Sequence, residues 1–155
     1  MKYIYLSTEF YEQYPQSEFP EIERKTNRPY VMIEIKIDNH TFAIPLRSSV
    51  KHKWKYPLVS KPDSGLDFKK AIYIYDTTFI SDSVPHIKQK DFNLLKNKDK
   101  IIEKKFMLYL KEYVEAIESL DPHLQGATRY STLSYFSKEI DYRELVDKYF
   151  DLVIT

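Results

Sequence analysis

The sequence YVMIEIKIDNHTFAIPL, residues 30–46, has the clearest structural pattern in the chain. Its first half alternates between Val31, Ile33, Ile35 and Ile37 on one side and Met32, Glu34, Lys36 and Asp38 on the other. A period of two is typical of a strand that buries one face. Asp38-Asn39-His40 has the composition of a turn, and Thr41-Phe42-Ala43-Ile44 resumes the strand pattern. Residues 30–46 therefore predict an antiparallel hairpin.

On either side of this hairpin, the first half of the chain favours further strands. Residues 2–6, 56–59 and 71–75 are short stretches rich in β-formers, and residues 8–14 predict a short polar helix or turn. The second half changes to helical periodicity. From Asp99 onward, apolar residues recur at steps of three and four: Ile102, Phe106, Tyr109, Tyr113, Ile117 and Leu120. They predict an amphipathic helix of about five turns. Shorter helices are predicted near Asp91 and over residues 132–139 and 142–150.

These elements predict an α+β fold, in which a small antiparallel sheet or partly open barrel carries one long amphipathic helix and further short helices. We expect a single domain over residues 1–155, because the chain has the usual length of one domain. Since the chain contains no cysteine, disulfides, zinc ribbons and thiol catalysis are excluded. No apolar run approaches the roughly 20 residues that span a bilayer, and the amino terminus is too short for a signal peptide. We therefore expect a soluble, cytoplasmic protein.

Positive charge is concentrated in one segment, although the whole chain has a formal net charge of only +1. Residues 46–75 contain seven Lys and Arg against two Asp, whereas each remaining stretch is neutral or acidic. Such a local excess is typical of a phosphate-binding site on an otherwise neutral protein. A solvated loop is the alternative explanation from charge alone.

The densest part of this segment is residues 45–55, which read PLRSSVKHKWK. Metal-free RNA cleavage requires removal of the 2′-hydroxyl proton, stabilisation of a charged phosphorane and protonation of the leaving 5′-oxygen. Ser48 or Ser49 can hydrogen-bond a phosphate oxygen, and Lys51 can neutralise the growing negative charge. A histidine, in this loop His52, can carry a proton near neutral pH, whereas a lysine needs a lowered pKa to act as a base.

Each of these residues also has a structural interpretation. A serine pair after a strand commonly caps a turn, and a single histidine in a polar loop is commonly just exposed. Trp54 can stack on a base or belong to the core. Residues 45–55 alone therefore predict a nucleic-acid-binding face but do not establish an enzyme.

Three stretches of the sequence resemble the toxins of type III toxin–antitoxin systems, the ToxN/AbiQ family. They are Asn27-Arg28-Pro29-Tyr30-Val31, the hairpin residues Ile33-Glu34-Ile35, Asn39-His40 and Phe42-Ala43-Ile44-Pro45-Leu46, and the following Arg47-Ser48-Ser49-Val50-Lys51-His52-Lys53. The resemblance is strongest over residues 27–55, and the amino-terminal strand and the helical second half agree with it in pattern.

The resemblance implies an endoribonuclease with a barrel-like β core related to the MazF and Kid toxins. It implies cleavage of cellular or phage RNA without metal or other cofactor, leaving a 2′,3′-cyclic phosphate and a 5′-hydroxyl. It further implies an RNA antitoxin, a small repeated pseudoknot RNA that the toxin processes, and a closed toxin–RNA hetero-oligomer. Such systems act in plasmid maintenance or in phage defence by abortive infection.

The resemblance also implies roles for particular residues. The family's active-site hydroxyl and lysine match Ser48 or Ser49 and Lys51, with His52 as a further catalytic candidate. A family tyrosine falls opposite Phe10 or Tyr11, and we assign it to Tyr11. Arg28 matches a basic residue before the hairpin and is expected to hold a phosphate. The other expected RNA contacts come from the loop after the hairpin: Arg47, Lys53, Trp54 and Lys55.

Two other functions remain open. The same basic face could bind RNA or DNA without cutting it, or the many aromatic residues could form a protein-interaction surface. Lysines on the long helix, Lys100, Lys104, Lys105 and Lys111, either extend an RNA-binding groove or form a solvated helix face. Replacing Lys51 by Ala separates cleavage from binding. An affinity that depends little on salt favours the protein-interaction surface.

Overall fold

The computed structural model describes residues 1–25, 29–59, 61 and 63–155. Its sheet consists of short antiparallel strands, which are β1 (Lys2–Ile4), β2 (Met32–Ile37), β3 (His40–Arg47), β4 (Lys55–Pro57), β5 (Gly65–Asp67) and β6 (Ile72–Ile74). The strand order is β1-β2-β3-β5-β4, and β6 also pairs with β3. Over the described ranges this sheet does not close on itself. The predicted α+β fold with a small antiparallel sheet is confirmed.

The hairpin of β2 and β3 is the centre of the sheet. Met32 lies opposite Pro45 and Ile37 lies opposite His40, so the register runs through the whole hairpin. Asp38 turns the chain with a φ of 55°, a left-handed conformation that Asp tolerates better than most residues. The other edge of β3 is shared by two short strands, since residues 41–43 pair with β6 and residues 46–47 pair with β5. The carboxyl end of β3 is therefore held next to β5.

The helical second half packs against this sheet. The α-helices are α1 (Thr8–Gln13), α2 (Gln89–Leu95), α3 (Asp99–Glu118) and α4 (Tyr142–Ile154), with 3₁₀ turns at Phe68–Lys70, Thr77–Phe79, Pro122–Ala127 and Leu133–Phe136. Two helices begin at a side-chain cap, because Ser7 accepts from the backbone N–H of Phe10 and Asp141 accepts from that of Glu144. Among the described residues, no helix has the length and apolar character needed to cross a membrane.

One cluster of buried side chains joins the strands to the helices. The ring of Phe106 on α3 lies 5.1 Å from the ring of Phe42 on β3 and 5.5 Å from that of Phe68. Tyr109, one helical turn further along, is buried and donates its hydroxyl to the carbonyl oxygen of Ala127 at 3.0 Å. The core therefore holds β3, the Phe68–Lys70 turn and α3 in fixed relation, and these elements surround the loop after β3.

Two details of the predicted helices are wrong. Ile117 and Leu120 were expected on the buried face of the long helix, but Ile117 is 60% exposed and Leu120 is fully exposed. The chain leaves the helix at Ser119, which has an extended backbone, so Leu120 has no helical position. Residues 132–139 were predicted as a helix, but the structure has only the 3₁₀ turn Leu133–Phe136 there.

Candidate functional site

The loop between β3 and β4, residues 48–54, is anchored at its middle; we call it the 48–54 loop. Val50 is only 1% exposed, and its backbone N–H donates to the carbonyl oxygen of Asp63 at 2.5 Å. Its carbonyl oxygen accepts from the Nζ of Lys55. The loop backbone is therefore held on both sides of Val50. Around this anchor, four polar side chains are exposed: Ser48, Ser49, Lys51 and Lys53.

Asp67, at the end of β5, is a fully buried carboxylate beside this loop. It accepts from the Nε2 of His52 at 2.9 Å, from the Nη1 of Arg47 and from the backbone N–H of Lys69 at 3.1 Å. Burial acts to raise the pKa of Asp67, but the hydrogen bonds and charges of His52 and Arg47 outweigh it. The pKa of Asp67 is therefore lowered, and the side chain is ionised at neutral pH.

His52, predicted as a catalytic candidate, has partners at both ring nitrogens. Its Nδ1 lies 3.1 Å from the backbone nitrogen of Trp54, and an N–H group can only donate. Nδ1 must therefore act as the acceptor, which leaves the ring proton of neutral His52 on Nε2, where it is donated to Asp67. In this arrangement His52 braces the 48–54 loop against Asp67, and neither ring nitrogen is available to a substrate.

Arg47, predicted to contact RNA, is 21% exposed and is occupied by carboxylates. Besides Asp67, its Nη2 lies 3.4 Å from an oxygen of Glu23. Burial acts to lower the pKa of Arg47, but Asp67 and Glu23 more than compensate and raise it. The positive charge of Arg47 is thus largely neutralised inside the protein.

The same ionic network continues away from the loop through Lys70. Its Nζ donates to Glu21 at 2.8 Å and to the carbonyl oxygen of Tyr130 at 2.8 Å, and lies 3.9 Å from Glu23. Since Glu23 also pairs with Arg47, the network runs from Glu21 to His52 without a break. It ties the segment before the hairpin to β3, β5 and the Phe68–Lys70 turn.

Trp54 connects the 48–54 loop to the helices. Its indole N–H donates to Glu112 on α3 at 2.6 Å. Its ring packs against Gly126 so closely that a Cβ on Gly126 would lie 2.6 Å from the ring. The Nζ atoms of Lys69 and Lys53 lie 4.9 Å and 5.1 Å from the ring centroid. Trp54 is therefore partly a core residue, half-buried beneath two lysines.

The lysines of the basic segment differ in their surroundings. Lys51 and Lys53 are exposed, whereas Lys55 is half-buried and holds Val50. Lys69 is 6% exposed, and its Nζ donates to the carbonyl oxygen of Gly126 at 2.9 Å. Burial lowers the pKa of Lys69, partly offset by the charge of Asp67.

Tyr11, predicted as a catalytic residue, lies in a separate depression with Arg24, whose guanidinium carbon is 5.2 Å from the tyrosine ring. Burial raises the pKa of Tyr11, and Arg24 only partly opposes this. The hydroxyl is therefore protonated at neutral pH. Lys25 and Pro29 line both this depression and a larger pocket that Ser48 also lines, so Tyr11 lies next to the pocket of Ser48. Arg28, expected to hold a phosphate, falls outside the described residues.

The sequence did not single out Asp67, Lys69 and Lys70. A signal for Asp67 was present, because it is one of only two acidic residues in the basic stretch 46–75. Nothing local marks the two lysines as buried. Within the described ranges, no group of three or more His, Asp or Glu side chains is placed to hold a metal ion.

Comparison of the chain with protein-family models, with curated proteins and with solved structures finds no match in any of the three. The resemblance to the ToxN/AbiQ toxins therefore stays a prediction from the residues quoted above.

Proposed function

We propose that this chain is a metal-independent endoribonuclease that acts as the toxin of a type III toxin–antitoxin system. The observation that carries this proposal is the 48–54 loop, which presents two hydroxyls and two ammonium groups to solvent from an anchored backbone. A phosphate site must be held in place before substrate arrives, because reorganisation during the reaction would cost catalytic power. Val50 and its two hydrogen bonds meet this requirement.

In the proposed reaction, the 2′-hydroxyl of RNA attacks the adjacent phosphorus and the bond to the 5′-oxygen breaks. The products are a 2′,3′-cyclic phosphate and a 5′-hydroxyl. Ser48 or Ser49 donates a hydrogen bond to a non-bridging oxygen, and Lys51 neutralises the charge that grows on the phosphorane. We further propose that Lys53 and Trp54 contact the flanking RNA, and Tyr11 stays the candidate catalytic tyrosine.

The electrostatics of the loop support an anionic substrate. A buried, unpaired carboxylate next to the loop would repel a phosphate, but Arg47 neutralises Asp67 and His52 donates a hydrogen bond to it. Lys51 and Lys53 then leave a local positive excess on the exposed face of the loop.

Lys51→Ala is the decisive variant, with Lys138→Ala, an exposed lysine outside the loop, as the matched control. We expect Lys51→Ala to lower kcat by about 10²–10³-fold, the usual effect of removing one transition-state stabiliser. Binding of an uncleavable 2′-O-methyl RNA should fall only modestly, by the loss of one phosphate contact. Cleavage is measured with EDTA present, by mapping new 5′-hydroxyl ends. Wild-type protein that leaves RNA intact under these conditions would contradict the proposal.

The biological part of the proposal follows from the sequence resemblance. It comprises a cytoplasmic toxin with a MazF/Kid-like, partly open barrel core, a long amphipathic helix that widens the RNA groove, and a repeated pseudoknot RNA antitoxin. Expression of the chain alone should arrest growth, and co-expression of its neighbouring repeat RNA should relieve the arrest. The two components together should elute as a closed toxin–RNA hetero-oligomer, measured by size-exclusion chromatography with light scattering.

One observation favours a second candidate, a module that binds RNA or DNA without cutting it. His52, the imidazole of the basic loop, has both ring nitrogens occupied. If wild-type protein binds RNA with a strong salt dependence and produces no new ends, this candidate replaces the nuclease.

A further inference from the structure

A pocket of about 410 Å³ lies at the start of the 48–54 loop. It is lined by Ser48, by Tyr5 after β1, and by the segment that includes His86 and Lys88. This volume lies within the range of about 300–1,000 Å³ that small-molecule sites occupy. We call it the Ser48 pocket.

The Ser48 pocket has a positive lining. Lys25, Lys61 and Lys88 line it together with Arg47, and Asp91 is the acidic residue among them. Arg47 is already neutralised by Asp67 and Glu23. Lys61 and Lys88 therefore supply a positive potential that favours an anionic ligand such as a nucleotide.

The chain has four histidines, and their surroundings differ. His52 is occupied at both ring nitrogens, and the Nδ1 of His40 lies 2.9 Å from the hydroxyl of Tyr73 on the sheet. His123 is on the Pro122–Ala127 turn, outside the lining of the Ser48 pocket. His86 is exposed and lies in the pocket lining with Ser48.

The backbone around His86 is held to the end of β1. The backbone N–H of His86 donates to the hydroxyl of Tyr5 at 3.0 Å, and the backbone N–H of Ser81 donates to the carbonyl oxygen of Tyr5 at 2.8 Å. Tyr5 itself lines the pocket. His86 is thus placed by contacts of its backbone and not of its side chain. Replacing its ring should therefore leave the conformation of this segment unchanged.

We propose that the Ser48 pocket binds the RNA nucleotide next to the scissile phosphate, and that His86 accepts the proton of the 2′-hydroxyl. This inference rests on the proposed endoribonuclease function. A neutral imidazole nitrogen takes the proton while the bond from the 2′-oxygen to phosphorus forms and the bond from phosphorus to the 5′-oxygen breaks. The leaving 5′-oxygen takes a proton from water. His86 then returns its proton to solvent.

The proposal also selects between the two serines. Ser48 lines the pocket together with His86, whereas Ser49 is not part of that lining. The phosphate bound next to this nucleotide would therefore accept its hydrogen bond from Ser48. Ser49 would remain an exposed residue of the anchored loop.

The test compares His86→Ala with His123→Ala, an exposed histidine outside the pocket, in the full chain. With an RNA that the wild type cleaves, His86→Ala should lower kcat by about 10²–10⁴-fold, the usual effect of losing a general base. Added imidazole should restore part of the rate to His86→Ala but none to Lys51→Ala. Affinity for 2′-O-methyl RNA should stay close to that of the wild type, and His123→Ala should cleave normally.

Three outcomes overturn the proposal. If wild-type protein cleaves and His86→Ala cleaves at a similar rate, His86 is not the base, and the endoribonuclease function stands without it. If His86→Ala is inactive but imidazole gives no rescue, its effect is not proton transfer. If the wild type itself leaves RNA intact, the proposed function and this inference fail together.

Discussion

Five of the seven cations in the basic stretch fall into two groups with opposite surroundings. Lys51 and Lys53 of the 48–54 loop are exposed to solvent. Arg47, Lys69 and Lys70, from the same stretch of sequence, are largely buried and are held by carboxylates or carbonyl oxygens. We call these the exposed cations and the paired cations. The exposed cations contribute positive potential to a ligand, whereas the paired cations hold the structure in shape.

These two groups explain how a nearly neutral protein can present a basic face. The paired cations neutralise Asp67, Glu21 and Glu23 inside the molecule, so those carboxylates do not oppose the exposed lysines. Because a buried ion pair is costly to break, the paired cations also stabilise the loop that displays the exposed ones. Structure and binding thus use different members of one cluster.

The largest expected effect is on stability, when the carboxylate at the centre of the paired group is removed. Asp67→Ala leaves Arg47 and His52 without their buried partner and should lower the free energy of unfolding by about 3–5 kcal/mol. Urea unfolding followed by circular dichroism measures the change. Asp63→Ala is the matched control, since its side chain is exposed and its carbonyl oxygen still anchors Val50. Equal stability of the two variants would show that the paired group does not hold the fold.

The next effect concerns the contact between Trp54 and the helical half. Gly126→Ala places a Cβ 2.6 Å from the Trp54 ring, which is held in place by Glu112. We expect a loss of about 1–3 kcal/mol of stability from this overpacking. In a Trp54→Ala background the same substitution should cost much less, because the ring is gone. A cost that is the same in both backgrounds would disprove the clash.

A pH dependence of stability follows from Asp67. Its pKa is lowered in the folded protein, so its stabilising contribution is present above the unfolded value of about 3.9 and is lost as the pH falls through the folded pKa. The difference in unfolding free energy between wild type and Asp67→Asn should be fully present at about pH 5. It should shrink below about pH 4. A difference that does not shrink below about pH 4 would refute an ionised Asp67.

The smallest effects on stability are expected for the exposed cations. Lys51→Ala and Lys53→Ala should each change the free energy of unfolding by less than about 0.5 kcal/mol. Each should lower the slope of log affinity against log salt for RNA by about one, because one phosphate contact is lost. Lys69→Met removes a buried charge but keeps a side chain of similar length, and it should leave that slope unchanged. Equal slopes for all three variants would remove the distinction between exposed and paired cations.

The sequence predicted the central hairpin well, since the alternation over residues 31–37 depends only on neighbours along one strand. The end of α3 was predicted less well, because packing sets it. The apolar spacing continues to Leu120, but the helix ends at Glu118. The sequence also predicted a polar, basic segment over residues 45–55, and the structure has a loop at residues 48–54 directly after a strand. The buried partners of that loop were missed, because they come from distant parts of the chain.

Local periodicity and composition are enough to predict the α+β class, the β2–β3 hairpin and the side chains present in the 48–54 loop. Which cations are exposed and which are paired depends instead on tertiary contacts. Arg47 finds Asp67 20 residues away, and Lys70 finds Glu21 49 residues away. Such pairs require the sheet to hold β3, β5 and the segment before the hairpin together. A local sequence pattern therefore cannot predict them.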